Sequence, residues 1–409
     1  MELTDKKTLK VLMVSTEFPP MPGGVGRYTF NLTQSLRKLG LEVLVVCNEK
    51  GNGDFYGLSP KNKENAQVLL NLVSEVKPDV VHIQFEPGLY GLSFDLTNPR
   101  HSMTYLDSFY RKNKNVPIVT TFHTGFKLSQ WINPSSLIKK EGRIGSLGVP
   151  LRFLIRSWKY FLNYRAFRNL IVEKLRISNA GIMLSYYMSG IFGGGKVIYH
   201  GSEPSIFPKP SKEKARSYFS LPQEKKIALA VGFKTATKGW DILKNMDLPN
   251  NWIMVMNSSK SYYNKENYDI KLKENNLNGN KNTIIDLQKG FLSDAELSLL
   301  FYAADVVLLP YKVISASGVM FDALAHGLPF IATDLNFFKE FSRQGLGITV
   351  KRMPNEFSNA IKRLEKNYSS YIQSVDSFKN NLKWDFVAKQ HASIYCSVID
   401  KNNNTRRNF

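Results

Sequence analysis

The residues best placed to do chemistry lie between Leu308 and Thr333. Val306 to Leu309 is an apolar run that reads as a buried strand, ended by Pro310. Small polar residues follow from Ser315 to Gly318. Val319, Phe321, Ala323, Leu324 and Ala325 then carry a short helix that stops at Gly327-Leu-Pro329, and Phe330 to Thr333 begins another strand. A strand that delivers a Ser-Gly loop to a helix start makes an anion site, because the first N–H groups of the helix lack partners within it. A second such place is Gly232-Phe-Lys-Thr-Ala-Thr-Lys-Gly239, directly after the strand-like run Ile227 to Val231. Lys238-Gly239 precedes Trp240, Ile242 and Leu243, so an ammonium group and a helix dipole are expected to act on one anion. Both stretches suit a phosphate-like group.

The elements that position these residues follow one plan. Lys10 to Ser15 reads as a first strand, Glu17 to Gly26 as a loop, and Tyr28, Phe30, Leu32, Leu36 and Leu39 as a helix that Gly40 ends before a second strand, Glu42 to Cys47. That order opens a doubly wound α/β sheet. Gly23-Gly24-x-Gly26 is not the dinucleotide fingerprint Gly-x-Gly-x-x-Gly, and could be a flexible turn. Pro78 to Gly88 and Pro117 to Gly125 each read as a strand running into a polar mouth. Ligands of open α/β sheets bind beyond the carboxyl ends of the strands, where Glu17, Glu86 and His123 fall. A histidine at a strand end can equally be a satisfied structural residue.

With 409 residues, 43% hydrophobic and 22% charged, the chain suits two globular domains of about 200 residues each. Two cysteines and six scattered histidines offer no disulfide framework and no zinc-ligand spacing, and Cys47 reads as a buried thiol. Val11 to Val14 is too short for a signal peptide, and no stretch approaches the ~20 apolar residues of a membrane span, so a cytoplasmic protein is expected. The formal net charge of +21 favours anionic partners. Much of it lies between Lys127 and Arg176, where eleven basic residues face two acidic ones. Leu151, Leu154, Ile155, Trp158, Phe161, Leu162, Phe167, Leu170 and Ile171 recur there at helical spacing. A basic amphipathic helix lying on an anionic membrane surface would have this composition, as would an ordinary packed helix with a solvated face. No recognised nucleic-acid-binding module is present, so nucleic acid is not an expected partner.

The stretch from Leu308 to Thr333 resembles the donor-binding segment of retaining glycosyltransferases of family 4, which have the GT-B fold. It is similar to the subgroup written Pro-Tyr…Ser-x-Ser-Gly…Ala-x-Gly-x-Pro. Many members carry Glu-x7-Glu here, whereas this chain has Ile314 and Asp322 at those two positions. Gly232 to Leu243 resembles the family's Gly-Arg-…-Lys-Gly-x-Asp-x-Leu, with Phe233 in place of the Arg. Tyr199 to Phe207 resembles the interdomain crossover, and Leu382 to Tyr395 the terminal helix that returns to the first domain.

The resemblance implies two Rossmann-like doubly wound domains facing a central cleft. Residues 1–200 would bind acceptor and 201–382 the nucleotide-sugar donor; 383–400 would form the returning helix and 401–409 a disordered tail. It implies diphosphate contacts from Lys238, the amides of Ser317 and Gly318, and the Gly24 loop. Phe291, after Gly290, would meet the base or belong to the core, and Asp322 would accept from ribose hydroxyls. His123 would contact the sugar, with Glu86 beside it and Lys238 as the third catalytic group. Trp384 and Tyr395 would be packing residues. The implied reaction is retaining, metal-independent transfer from a nucleotide-diphosphate sugar, with no further cofactor, to a glycan or a polyprenyl- or lipid-linked acceptor at the inner membrane face. A GT-B nucleotide-sugar epimerase or a non-catalytic nucleotide-binding relative is the alternative.

Overall fold

The computed structural model describes residues 8–93, 103–131, 149–260 and 284–407. Two compact units divide the chain: Met1–Tyr199 with Val387–Phe409, and His200–Phe386. A six-stranded parallel sheet forms the centre of each.

In the first unit the strands are β1 (Lys10–Val14), β2 (Glu42–Val46), β3 (Val80–Phe85), β4 (Ile118–Phe122), β5 (Ala180–Met183) and β6 (Lys196–Val197), in the order β2-β1-β3-β4-β5-β6. Every position of β3 and β4 is buried, so both faces of the sheet are covered. That is why these strands are apolar runs rather than alternating ones. Helix α1 (Gly24–Lys38) buries Tyr28, Leu32 and Leu36, one turn apart, and ends before Gly40, which takes a φ of +87°. Helices α2 (Asn65–Val76), α3 (Asp107–Lys112), α4 (Leu128–Trp131), α5 (Val149–Ile177) and α6 (Tyr186–Phe192) complete the crossovers.

The second unit contains β7 (Lys226–Phe233), β8 (Trp252–Ser259), β9 (Ile284–Asp286), β10 (Val306–Leu309), β11 (Phe330–Thr333) and β12 (Gly347–Val350), in the order β12-β11-β10-β7-β8-β9. Its helices are α7 (Lys212–Tyr218), α8 (Trp240–Leu243), α9 (Asp294–Ala303), α10 (Gly318–Ala325), α11 (Asn336–Ser342), α12 (Pro354–Lys366) and α13 (Tyr368–Phe378). One core layer joins Trp240 and Leu243 to Met254 on β8, Leu308 on β10 and Phe357, Ile361 and Leu364 on α12. Both sheets and their order match a GT-B arrangement of two doubly wound domains.

Three expectations change. Residues 401–409 were expected to be a disordered tail, yet helix α14 (Trp384–Arg407) takes in 401–407, and 408–409 lie outside the described residues. No Gly or Pro interrupts Lys401 to Arg407, and basic residues in a last turn complement the helix dipole. Helix α5 does not present one continuous interfacial stripe, because Phe167, Leu170 and Ile171 are core residues, each at most 2% exposed. Trp158, in contrast, is 61% exposed and stacks on Phe161 with ring centroids 5.6 Å apart. The remainder of the basic segment, residues 132–148 with Lys139, Lys140 and Arg143, lies outside the described residues. Thirdly, α8 is a single turn, so Lys238 gains little from a helix dipole. Among the described residues no helix is long and apolar enough to cross a membrane.

Candidate functional site

In the second sheet, β7 and β10 are neighbours from which the chain winds outward in opposite senses. The carboxyl ends of such a pair open a crevice in the sheet edge. Beyond β7 lies the Lys238 loop, and beyond β10 lies Tyr311 to Gly318. The two loops are fastened together: Lys312 N–H donates to the Thr237 carbonyl at 2.8 Å, and Arg352 Nε to the Pro310 carbonyl at 3.2 Å. Arg352 also grips both carboxylate oxygens of Asp241 at 2.7 Å each. Gly239 sits at φ +72°, and a Cβ there would run into the Pro310 carbonyl. Only glycine fits.

Within this frame the Lys238 ammonium lies 3.9 Å from the centre of the Tyr311 ring. Among the described residues no carboxylate pairs with it, since Asp241 is engaged by Arg352 and by Lys312 at 3.6 Å. A cation resting on an aromatic face retains its capacity to bind an anion. Facing it in the chain's plan is the start of α10. The Ser317 hydroxyl caps Met320 N at 3.2 Å, and the Phe321 amide donates to the Ser317 carbonyl. The amides of Gly318 and Val319, at the first turn, have no intrahelical acceptor. His200 was not singled out from sequence. Its Nδ1 lies 2.7 Å from the Gly201 carbonyl, its ring stacks on Phe321, and its Nε2 lies 3.7 Å from where a Cβ of Gly318 would be.

Phe291 is 61% exposed, which removes the option that it belongs to the core. It stacks on Phe233 with centroids 6.4 Å apart and planes 23° off parallel. The residue standing where the family has an Arg thus supplies half of an aromatic platform. Asp322 is only 3% exposed and accepts from the Ser202 hydroxyl. Its carboxylate is therefore already engaged within the second unit.

The first sheet repeats the plan at β1 and β3. Glu17, beyond β1, is 6% exposed and accepts from Gly26 N at 3.2 Å. The glycine loop folds so closely over this carboxyl that a Cβ at Gly23 would overlap it. A Cβ at Gly24 would meet nothing within 4 Å, so that position opens onto free space. Beyond β3, Glu86 accepts from the Thr124 hydroxyl. Burial pushes the Glu86 carboxyl up to about 8, with the Glu17 charge adding to it. Burial likewise pushes Glu17 up to about 7, against the pull of the Gly26 and Val25 amides. Each carboxyl therefore keeps its proton to a higher pH than an exposed one does. Glu17 was visible from sequence as a strand-end residue, but its coupling to Glu86 was not. His123, beyond β4, places Nε2 2.9 Å from Gln84 Oε1 and lies edge-on to Tyr28 at 5.1 Å.

The carboxyl pair has a measurable consequence. Folded Glu86 retains a proton that the unfolded chain gives up in the ordinary carboxylate range, so native stability is lost as pH rises from about 4.5 to about 8. Glu86→Gln removes that loss. Its stability relative to the parent protein should be near zero at pH 4.5 and gain roughly 2 kcal/mol by pH 8.5, after discounting for partial solvent exposure. Calorimetric melting at both pH values checks this, and an equal difference at both would show the carboxyl to be unperturbed.

Comparison with known proteins agrees with these features. Residues 22–173 match the model of Glycosyltransferase Family 4, and residues 269–367 that of Glycosyl transferases group 1. An uncharacterized glycosyltransferase of Methanocaldococcus jannaschii is 22% identical over 95% of this chain and 98% of its own length. Among solved structures, the sucrose-phosphate synthase of Thermosynechococcus elongatus superimposes with a TM-score of 0.64 at 15% identity, covering 96% of this chain and 100% of that one. Anabaena HepE in complex with UDP and glucose gives 0.61 at 16% identity, over 95% and 100%. The structural likenesses show the fold. Together with the family matches they support a glycosyltransferase of the GT-B type.

Proposed function

We propose that this protein is a retaining, metal-independent glycosyltransferase that moves a sugar from a nucleotide-diphosphate donor to a glycan or lipid-linked acceptor. The observation that carries the reading is Lys238, a cation without a carboxylate partner among the described residues, held on the Tyr311 ring in a loop beyond β7 that is fastened to the loop beyond β10. As the bond between sugar and phosphate breaks, negative charge gathers on the departing diphosphate while the sugar takes on oxocarbenium character. Fixed positive groups aimed at that charge lower the barrier most. Lys238 and the Ser317–Gly318 turn supply such groups, the stacked pair Phe233 and Phe291 offers a face to the base, and Asp322 reaches a ribose hydroxyl if Ser202 gives way.

In the first unit, the space over Gly24 admits ligand, and His123 and Glu86 serve the sugar and acceptor side. At neutral pH the raised Glu86 carboxyl acts as a hydrogen-bond donor. HepE, a fold relative, is described with UDP and glucose bound, which supports a nucleotide-sugar donor here. The absence of an Asp-x-Asp pair from the sequence supports a diphosphate held by protein groups. Incubation with UDP-, GDP- and ADP-sugars, with and without polyprenyl-linked glycan, tests the reading. Acceptor-dependent nucleotide release and a product of the donor's anomeric configuration, read by proton NMR, are expected. An inverted product would refute retention, and sugar turnover without acceptor would favour an epimerase.

Trp158 and the exposed Lys159 and Arg165 on α5 support a peripheral site at the cytosolic membrane face. Anionic vesicles should co-sediment the protein at low salt, and Trp158→Ser should weaken that binding about tenfold, the worth of one large buried side chain. Equal binding by both proteins would remove α5 from the membrane contact.

A further inference from the structure

We propose that the C-terminal helix α14 is a positioning element for His123, acting through two hydrogen-bonded chains that end on Gln84 and Tyr28. The inference rests on the reading of His123 as a group that meets substrate. His391 and Tyr395 stand four residues apart on α14 and therefore project from one face of it. Both are fully buried in the first unit, to which this part of the helix belongs.

The first chain starts at Tyr395, whose hydroxyl lies 2.7 Å from His82 Nδ1. His82 Nε2 lies 2.8 Å from the Thr121 hydroxyl and 3.3 Å from Gln84 Nε2. That same Gln84 nitrogen is 3.2 Å from Met13 Sδ. A thioether sulfur only accepts, so this end of Gln84 is its NH2 group. The other end, Oε1, then faces His123 Nε2 at 2.9 Å. A carbonyl oxygen only accepts, so His123 must carry its proton on Nε2 and donate it to Gln84. His82 fits the same scheme. Burial holds its pKa well below the usual histidine range, so it is neutral, with Nδ1–H donated to Tyr395 and Nε2 accepting from Thr121 and Gln84.

The second chain starts at His391. Its Nδ1–H donates to the Val387 carbonyl at 2.8 Å, which leaves Nε2 to accept from the Tyr28 hydroxyl at 3.3 Å. Burial lowers His391 to about 4, so it too is neutral. Tyr28 in turn sets its ring edge-on against His123. The Gln84 and Tyr28 contacts to the His123 ring are thus each backed by one residue of α14. In its singly protonated form, a ring that donates from Nε2 carries its acceptor on Nδ1.

The test is the tautomer of His123, read by long-range 1H–15N NMR of the full-length protein with 15N-labelled histidine, and assigned by the signal lost in His123→Gln. The parent protein should show the Nε2–H form. Gln84→Leu should release it to a mixture of tautomers and lower kcat about tenfold with the donor KM unchanged, whereas Gln84→Glu, which keeps an acceptor, should retain the tautomer. Tyr395→Phe removes one oxygen, should shift the His123 signals and lower kcat severalfold, and decides the matter if Gln84→Leu does not fold. An Nδ1–H form in the parent protein overturns the proposal, as do unchanged His123 signals in Tyr395→Phe. A purely structural role would lower Tm and leave the tautomer alone. The spectrum needs no substrate, so lack of transferase activity in the parent protein would refute the functional reading without deciding this one.

Discussion

Replacing Lys238 with alanine is expected to lower kcat/KM by about 10²- to 10³-fold, the usual cost of removing one preorganised donor from a developing anion. Among the described residues, the two cations fastened to the same frame are already engaged. Lys312 and Arg352 are committed to Asp241, and Arg352 also braces the Pro310 carbonyl. Among the described residues the Lys238 ammonium makes no hydrogen bond, and its contact with Tyr311 is that of a cation on a ring face. The variant should therefore melt within about a degree or two of the parent, since partly exposed positions of this kind change stability by less than ~0.5 kcal/mol. Loss of activity with retained stability is the signature of a ligand-binding group. Steady-state kinetics and a melting curve on the same preparation check it, and full activity in Lys238→Ala would remove Lys238 from the site.

Gly239→Ala should have the second-largest effect, of a different kind. The residue must hold φ +72°, and its added Cβ would overlap a backbone carbonyl that belongs to the end of β10. A flexible side chain could move aside, but the Pro310 carbonyl is fixed by the strand and by Arg352. Strain at such a position costs about 1–3 kcal/mol, and the overlap adds to it. Stability should fall by ~3 kcal/mol or more, and the Lys238 loop should swing away from Tyr311. Nucleotide affinity is expected to drop at least about tenfold, because the ammonium is no longer held in place. Gly24→Ala is the control for stability alone, since a Cβ there meets no protein atom within 4 Å. An unchanged melting temperature in Gly239→Ala would show that the two loops are not fastened as described.

Much of this was legible in the sequence because its signals are local. Apolar runs marked β1, β7 and β10, the last two ended by Gly232 and Pro310, and the polar residues just beyond them lie at the strand ends of the two switch points. What stayed hidden depends on partners far along the chain. His82 meets Tyr395 across 313 residues and Tyr28 meets His391 across 363, so both tyrosines and histidines read as ordinary core positions. The bond between Arg352 and Asp241 spans 111 residues and joins the end of β12 to the short helix α8, with no shared pattern. Tyr395 was expected only to pack, and it also carries a hydrogen bond. Helix α5 misled for another reason. Apolar residues at helical spacing look alike whether they face a core or a membrane, and only burial separated Phe167, Leu170 and Ile171 from Trp158. The contact of Asp322 with Ser202 spans 120 residues and was equally invisible in the local pattern.

The most direct test of a diphosphate site at Lys238 is thermal unfolding of the parent protein and Lys238→Ala with UDP, GDP, ADP and their common sugar conjugates. A ligand that binds only the folded state raises Tm, by the equivalent of about 2.7 kcal/mol at a hundredfold excess over Kd. One nucleotide should raise the Tm of the parent protein, and Lys238→Ala should lose that rise while melting normally by itself. No rise with any nucleotide at millimolar concentration, or an equal rise in both proteins, would contradict the assignment.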